Sequence, residues 1–278
     1  MRILVSNDDG VEAAGIRALA EALSEVGEVT VCAPDREQSA SSHSISLHRP
    51  LRIEEVAPWA APGPAPWAAP GAAPGPASGG AIRRFAVDGT PTDAVYLGVN
   101  HLLTEAPPQL IVSGINRGAN LANDIHYSGT VAAAMEGTTL GIPSFAISLV
   151  GRAPFDYAHA ARFARELARQ VIQHGLPPGT LLNVNVPQGE PTGVAITSTG
   201  RRSYAATVVR KVDPRGRAYY WIGGDEQAHE HVPGSDCDAV FDRREISVTP
   251  LHLDLTQRDL VEELRRWELP ARSPAPVP

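Results

Sequence analysis

The sequence predicts an α/β protein built on a doubly wound, mainly parallel sheet. Three observations lead there. Short apolar runs alternate with segments of helical periodicity through the first two-thirds of the chain. Strands separated by helices require crossover connections, which are right-handed and favour parallel pairing. Polar turns at Asn7-Asp8-Asp9-Gly10, after residue 33 and at Ser113-Gly114-Ile115-Asn116 each follow such a run. In a doubly wound sheet these turns converge beyond the carboxyl ends of the strands, where ligands bind.

The first strand is residues 2–6 (RILVS), ending in the NDDG turn. Residues 14–25 carry Ile16, Leu19, Ala20 and Leu23 at helical spacing, with Gly27 as the stop. Residues 28–33 (EVTVCA) form the next strand, closed by Pro34. Residues 110–113 and 144–149 read as further buried strands, and 129–140 between them as a helix with Ser128 as N-cap. Asp156 caps a long helix over 157–173, with Phe163, Leu167 and Val171 facing inward, and 181–186 (LLNVNV) returns to strand.

From 193 the pattern changes. Short β-like runs at 194–198, 206–212, 219–222 and 246–249 read as hairpins or a protruding arm rather than more core. Thr256 opens a final helix to Trp267, followed by a Pro-rich tail expected to be disordered. The expected division is therefore a core over 1–192 and, over 193–278, a β-rich arm, terminal helix and tail. Residues 57–81 are a low-complexity insertion: 22 of the 25 are Ala, Pro or Gly. Such a segment cannot build a core. It is either a tolerated loop expansion, since closure costs rise slowly with length, or a docking segment presenting Trp59 and Trp67.

The 278 residues suffice for one large α/β domain or two modest ones, and 43% hydrophobic content is ordinary for a globular protein. Against 31 acidic residues there are 24 basic ones, a net charge of −7. That balance argues against a nucleic-acid polymer as partner, which needs clustered Lys and Arg. A single phosphate in a pocket remains compatible with it. The two cysteines, Cys32 and Cys237, show no zinc-like spacing. No apolar run approaches roughly 18 residues, so no membrane span is expected. With no signal-like leader at MRILVSNDDG, the expectation is a soluble cytoplasmic protein.

Asp8 and Asp9 are adjacent carboxylates at the end of a first strand. They repel unless neutralised, and a hard divalent cation such as Mg²⁺ or Mn²⁺ does this with oxygen ligands. The rival reading is a turn whose carboxylates cap the following helix. Ser39 lies in a hydroxyl-rich loop (APDREQSASSHSISL) able to supply neutral oxygen ligands, and His43 there reads as a hydrogen-bonding residue. Asn116 and Asn120 offer neutral amides, and Gly114 and Gly118 permit close backbone approach. Ser128-Gly129-Thr130 opens a helix whose free N–H groups and dipole favour an anion. No G-x-x-x-x-G-K-[ST], G-x-G-x-x-G or G-x-S-x-G is present. A metal site beside an anion site is the minimum equipment for phosphate ester hydrolysis.

The segments RILVSNDDG, APDREQSASSHSISL, GTPTDAVYLGV, SGINRGANL and YSGTVAAAMEG closely resemble the SurE family, stationary-phase survival proteins acting as 5′(3′)-nucleotidases. LLNVNVP, DPRGRAYYWIG and VTPLHLDLT extend the match to nearly the whole chain, apart from 57–81 and the tail. The resemblance implies a Rossmann-like core with a C-terminal arm that assembles a homodimer or homotetramer. It implies one divalent metal (Mg²⁺ or Mn²⁺) per subunit on Asp8, Asp9, Ser39 and Asn116, with catalysis centred on the two aspartates. Asn120, Ser128, Gly129 and Thr130 match positions lining the phosphate pocket. The implied substrates are nucleoside monophosphates, with tolerance for other phosphoesters. Two rivals from other classes are a non-catalytic nucleotide-binding protein and a phospho-receiver module. The latter needs a phosphoacceptor Asp after a middle strand, where this chain has Ser-Gly-Ile-Asn.

Overall fold

The computed structural model describes residues 1–59, 81–202, 207–223, 229–267 and 269. Its elements run β1 (Arg2–Ser6), α1 (Ala14–Leu23), β2 (Glu28–Pro34), β3 (Ile53–Val56), β4 (Arg83–Val87), α2 (Pro91–Leu97), β5 (Leu110–Arg117), α3 (Gly129–Thr139), β6 (Ser144–Val150), α4 (Ala158–His174), β7 (Thr180–Pro187), β8 (Val194–Ile196), β9 (Thr207–Val212), β10 (Ala218–Gly223), β11 (Ile246–His252) and α5 (Arg258–Leu264). Nine strands form one sheet in the order β3-β4-β2-β1-β5-β6-β7-β11-β8. Six of them, from β4 to β7, are mutually parallel. β3 and β11 join antiparallel at the two flanks. The doubly wound, mainly parallel expectation therefore holds.

Strand order reverses at β1, with β2 on one side and β5 on the other. That is the switch point at which such a sheet opens a crevice beyond its carboxyl ends. The core explains the layers. Ile3, Val5, Val31, Val112, Phe145 and Ile147 point to the face covered by α1 and α4, through Ile16, Leu19, Leu23, Ala161, Ala164 and Val171. Leu4, Cys32, Phe85 and Ile111 point to the opposite face, where Ala94, Val95 and Ala133 of α2 and α3 meet them. Neighbouring residues of β1 thus enter opposite layers, as strand alternation requires.

Three expectations are corrected. β8 and β11 belong to the main sheet, so the residues after 193 are not all arm. Among the described residues only β9 and β10 stand apart, as an antiparallel two-stranded ribbon. β5 also continues past 113 to Arg117, with a register irregularity between Ser113 and Asn116. Gly114 sits there at φ +136°, and a Cβ on it would lie 2.2 Å from the Ile147 carbonyl oxygen. Only glycine accepts that approach. The terminal helix is shorter than expected, and the tail from residue 270 lies outside the described residues.

The insertion grows from the β3–β4 hairpin, whose register runs from Ile53 opposite Val87 to Val56 opposite Arg84. Residues 60–80, including Trp67, lie outside the described residues. Trp59 is half-buried, with the Arg84 guanidinium 4.0 Å above its ring, rather than presented outward. Arg84 is buried and donates to the carbonyls of Ala57 and Val11. Among the described residues no helix is long and apolar enough to cross a membrane.

Candidate active site

The chain leaves β1 through Asn7, which is fully buried. Its Nδ2 donates to the Gly10 carbonyl at 3.0 Å and its Oδ1 accepts from the Gly10 N–H at 3.2 Å. Asn7 therefore makes the turn. The N-cap of α1 is Ala13, with no side-chain capping bond. Neither Asp8 nor Asp9 is used to turn the chain or cap the helix, and the capping rival for the pair falls away.

Asp8 is 8% exposed and points at the start of α3. The Thr130 hydroxyl donates to its Oδ1 at 2.5 Å. A Cβ on Gly129 would come within 2.8 Å of Asp8 Cβ, 3.1 Å of Asp8 Oδ2 and 2.6 Å of Ser41 Oγ. Glycine is what lets the helix start close on the carboxylate. Burial raises the Asp8 pKa to about 6; the Thr130 hydroxyl pulls it down, and the negative charge of Asp9 pushes it up. Among the described residues no cation pairs with it.

Asp9 is held differently. Its carboxylate accepts from the Arg117 N–H at 3.1 Å and from Arg117 Nε at 3.0 Å. Arg117 also reaches Glu37 at 3.0 Å, and Ser39 donates to Glu37 at 2.6 Å. Ser39 thus connects to Asp9 through Glu37 and Arg117. The bond to Asp9 holds the Arg117 pKa above its ordinary value, and the Ser39 hydroxyl, ahead of Arg117, holds Glu37 below its own. Tyr157 stands near enough that, after burial, the Asp9 charge raises its phenol.

The three loops are stitched together by backbone. Gln38 N–H donates to the Asp8 carbonyl at 2.7 Å, and Ser42 N–H to the Tyr127 carbonyl at 3.1 Å. Asn116 is the next-to-last residue of β5, its Nδ2 on the Gly118 carbonyl at 2.9 Å, which keeps Oδ1 as its acceptor. Ser128 caps α3 by accepting from the Val131 N–H. Asn120 is buried, and its Nδ2 donates to Ser148. Its carbonyl receives Asn183 and Asn185, and its N–H donates to Asn185. Asn120 is thus the hub of an amide network under the site. His43 bonds Glu136 at 2.9 Å, in keeping with a hydrogen-bonding role.

All eight residues singled out from the sequence lie on the turns after β1 and β2, on the end of β5 and the loop beyond it, or at the start of α3. Arg117, Asn7 and Glu37 were missed. An arginine in a Gly/Asn-rich loop has no periodicity to mark it. Asn7, preceding the acidic pair, carried a legible signal, since Asn readily bonds backbone two or three residues on.

A family model described as Survival protein SurE matches residues 3–206. This chain belongs to the SurE family. It is 55% identical over 269 residues to the 5′-nucleotidase SurE of Myxococcus xanthus, covering 96% of this chain and 94% of that one. With the 5′-nucleotidase SurE of Geobacter sulfurreducens it shares 51% identity, over 99% and 96% of the two chains. The crystal structure of the SurE protein from Aquifex aeolicus superposes with a TM-score of 0.76 at 37% identity, over 95% and 98% of the chains.

The SurE centre in this chain fits a divalent cation on two observations. A buried carboxylate without a cationic partner is costly and calls for positive charge. Beside it, Ser41 Oγ is buried with no hydrogen-bond partner, at the cleft that a Gly129 side chain would fill. All the donors are oxygens, which suits a hard cation.

Proposed function

We propose that this chain is a divalent-metal-dependent phosphomonoesterase that hydrolyses nucleoside 5′-monophosphates to nucleoside and phosphate. The observation that carries the reading is Asp8: buried, without a cation, against the opening turn of α3 at the switch point of the sheet. The full-length likeness to proteins named 5′-nucleotidase SurE supplies the substrate class.

Asp8, Asp9, Ser39 and Asn116 would hold the cation, which supplies charge for the phosphoryl oxygens and acidifies a water. Mg²⁺ and Mn²⁺ both suit the ligands. To hold it, Asp9 would share its carboxylate with Arg117 and Ser39 would turn its hydroxyl from Glu37. The Gly129 N–H, outside the helical ladder at the positive end of α3, would orient the phosphate beside Ser128 and Thr130, while the Thr130 N–H is spent on the Asp8 carboxylate. Asn120 supports this pocket from below by fixing the approach to α3. Thr130 keeps Asp8 oriented, and the buried setting excludes water from all but the open side.

Phosphate release from AMP and GMP, abolished by EDTA and restored by Mg²⁺ or Mn²⁺, tests the reading. Binding of nucleotide without release would make the chain a non-catalytic binder. Comparing 5′- and 3′-monophosphates with simple phosphoesters sets the substrate range. A hydroxylamine-sensitive phosphate label would move the mechanism from water attack to an aspartyl-phosphate.

Assembly through the β9–β10 ribbon belongs to the same proposal. Val208, Tyr220, Trp221 and Ile222 are 60%, 60%, 62% and 91% exposed on it. So much apolar surface on an isolated two-stranded ribbon calls for a covering partner, and a second copy of this chain as homodimer or homotetramer provides it.

A further inference from the structure

A second cluster of metal-ligating side chains lies at the foot of the ribbon, on segments separate from Asp8 and Asp9. His231 Nδ1 lies 3.2 Å from Asp242 Oδ2 and 3.7 Å from Asp238 Oδ1. One donor atom from each of these three residues lies within 4.8 Å of the others. Metal–ligand bonds of about 2.0–2.2 Å give a tetrahedral edge of roughly 3.4 Å. The observed separations bracket that edge.

A hydrogen bond accounts for His231 against Asp242 but not for its approach to Asp238. Asp238 is 6% exposed, and its Oδ2 is taken by the Gly234 N–H at 3.0 Å and by Arg243 at 3.3 Å. Its Oδ1 is left facing His231 at a distance beyond a hydrogen bond. Asp242 is also held by His229 Nε2, 3.1 Å from Oδ1 and 3.2 Å from Oδ2. The His229 ring is itself set against Phe241, with centroids 5.1 Å apart. Carboxylates that ligate an ion are themselves held by hydrogen bonds from outer groups, and His229 supplies such a bond here.

We infer that His231, Asp238 and Asp242 form a second cation site, for a borderline transition-metal ion such as Zn²⁺ or Co²⁺, with His229 positioning Asp242. One imidazole with two carboxylates suits these ions better than Mg²⁺. The site has a structural use. Val240 and Cys237, on the same turn as the carboxylates, pack against Leu121 and Ala122, directly after Asn120. A bound ion would tie the returning limb of the ribbon to the segment that leads into α3.

The test uses the full chain carrying Asp8→Asn and Asp9→Asn, so that the first centre cannot contribute. Co²⁺ is titrated by visible absorption and calorimetry. One equivalent should bind with the absorption of a four-coordinate ion. His231→Ala and Asp242→Asn should each abolish it, and His229→Ala should weaken it about 10–100-fold. His231 is 70% exposed, so its loss is not expected to unfold the chain, and metal-free circular dichroism checks this. Absence of binding, or binding indifferent to His231→Ala or to Asp242→Asn, overturns the inference. In the otherwise unaltered chain, His231→Ala should leave Mg²⁺-dependent phosphate release intact.

Discussion

At the scale of single residues, the two aspartates are neighbours with different electrostatics. Asp8 is buried without a cation, while Asp9 is bonded to Arg117. Asp8→Asn and Asp9→Asn should each lower turnover by about 100-fold or more, the size expected when a centre stabilising developing charge is removed. Circular dichroism and the thermal midpoint should show the fold intact; near-normal phosphate release in either variant would remove that residue from the site. A pKa raised from 3.8 to about 6 means that folded Asp8 binds more protons than unfolded Asp8 between those values. Stability of the metal-free protein therefore falls as pH rises from about 4 to about 6, by on the order of 3 kcal/mol from this group. Urea unfolding in EDTA, wild type against Asp8→Asn, isolates the effect: the wild type should lose stability relative to the variant across that window. A constant difference would contradict it. The acidic pair was legible in the sequence because two adjacent carboxylates after a strand are electrostatically unusual. Arg117 was not, because its role depends on a partner 108 positions away that only the fold supplies.

At the scale of elements, the helix and strand starts carry the site. Gly129 is the first residue of α3, so Gly129→Ala costs the helix nothing in propensity. Its Cβ would collide with Asp8 and Ser41. The variant should lose turnover and divalent-cation affinity by far more than its modest fall in thermal midpoint explains; activity that falls only in step with the midpoint would make the effect structural. Gly114→Ala is the opposite case. The positive φ and the contact with the Ile147 carbonyl should cost about 3 kcal/mol of stability, read as a shift in the urea midpoint. Strands of continuous apolar residues, such as Leu110–Val112, were plain in the sequence. β3 and β4 were not, because Glu54, Glu55, Arg83 and Arg84 hide their alternation at the sheet's flank. α2 escaped because it is short, although Thr90 and Asp93 make a capping box there.

For the whole molecule, the doubly wound order was readable from alternation, since helices between strands leave few other solutions. That β8 and β11 return to the sheet was not readable, because β8 is three residues long and the buried Ser247 and Thr249 of β11 read in sequence as a solvent face. The ribbon that remains outside should govern assembly. Ile222→Asp with Trp221→Asp should shift the light-scattering mass toward the monomer; an unchanged mass would place the interface elsewhere. The insertion joins two paired strands, so replacing 60–80 with a short turn should leave phosphate release unchanged. The centre itself is tested most directly by following phosphate release from AMP in one preparation of wild type and Asp8→Asn, first with EDTA and then with excess Mn²⁺. The account predicts release only from the wild type and only after Mn²⁺ is added. Release in EDTA, or equal release by Asp8→Asn, would contradict it.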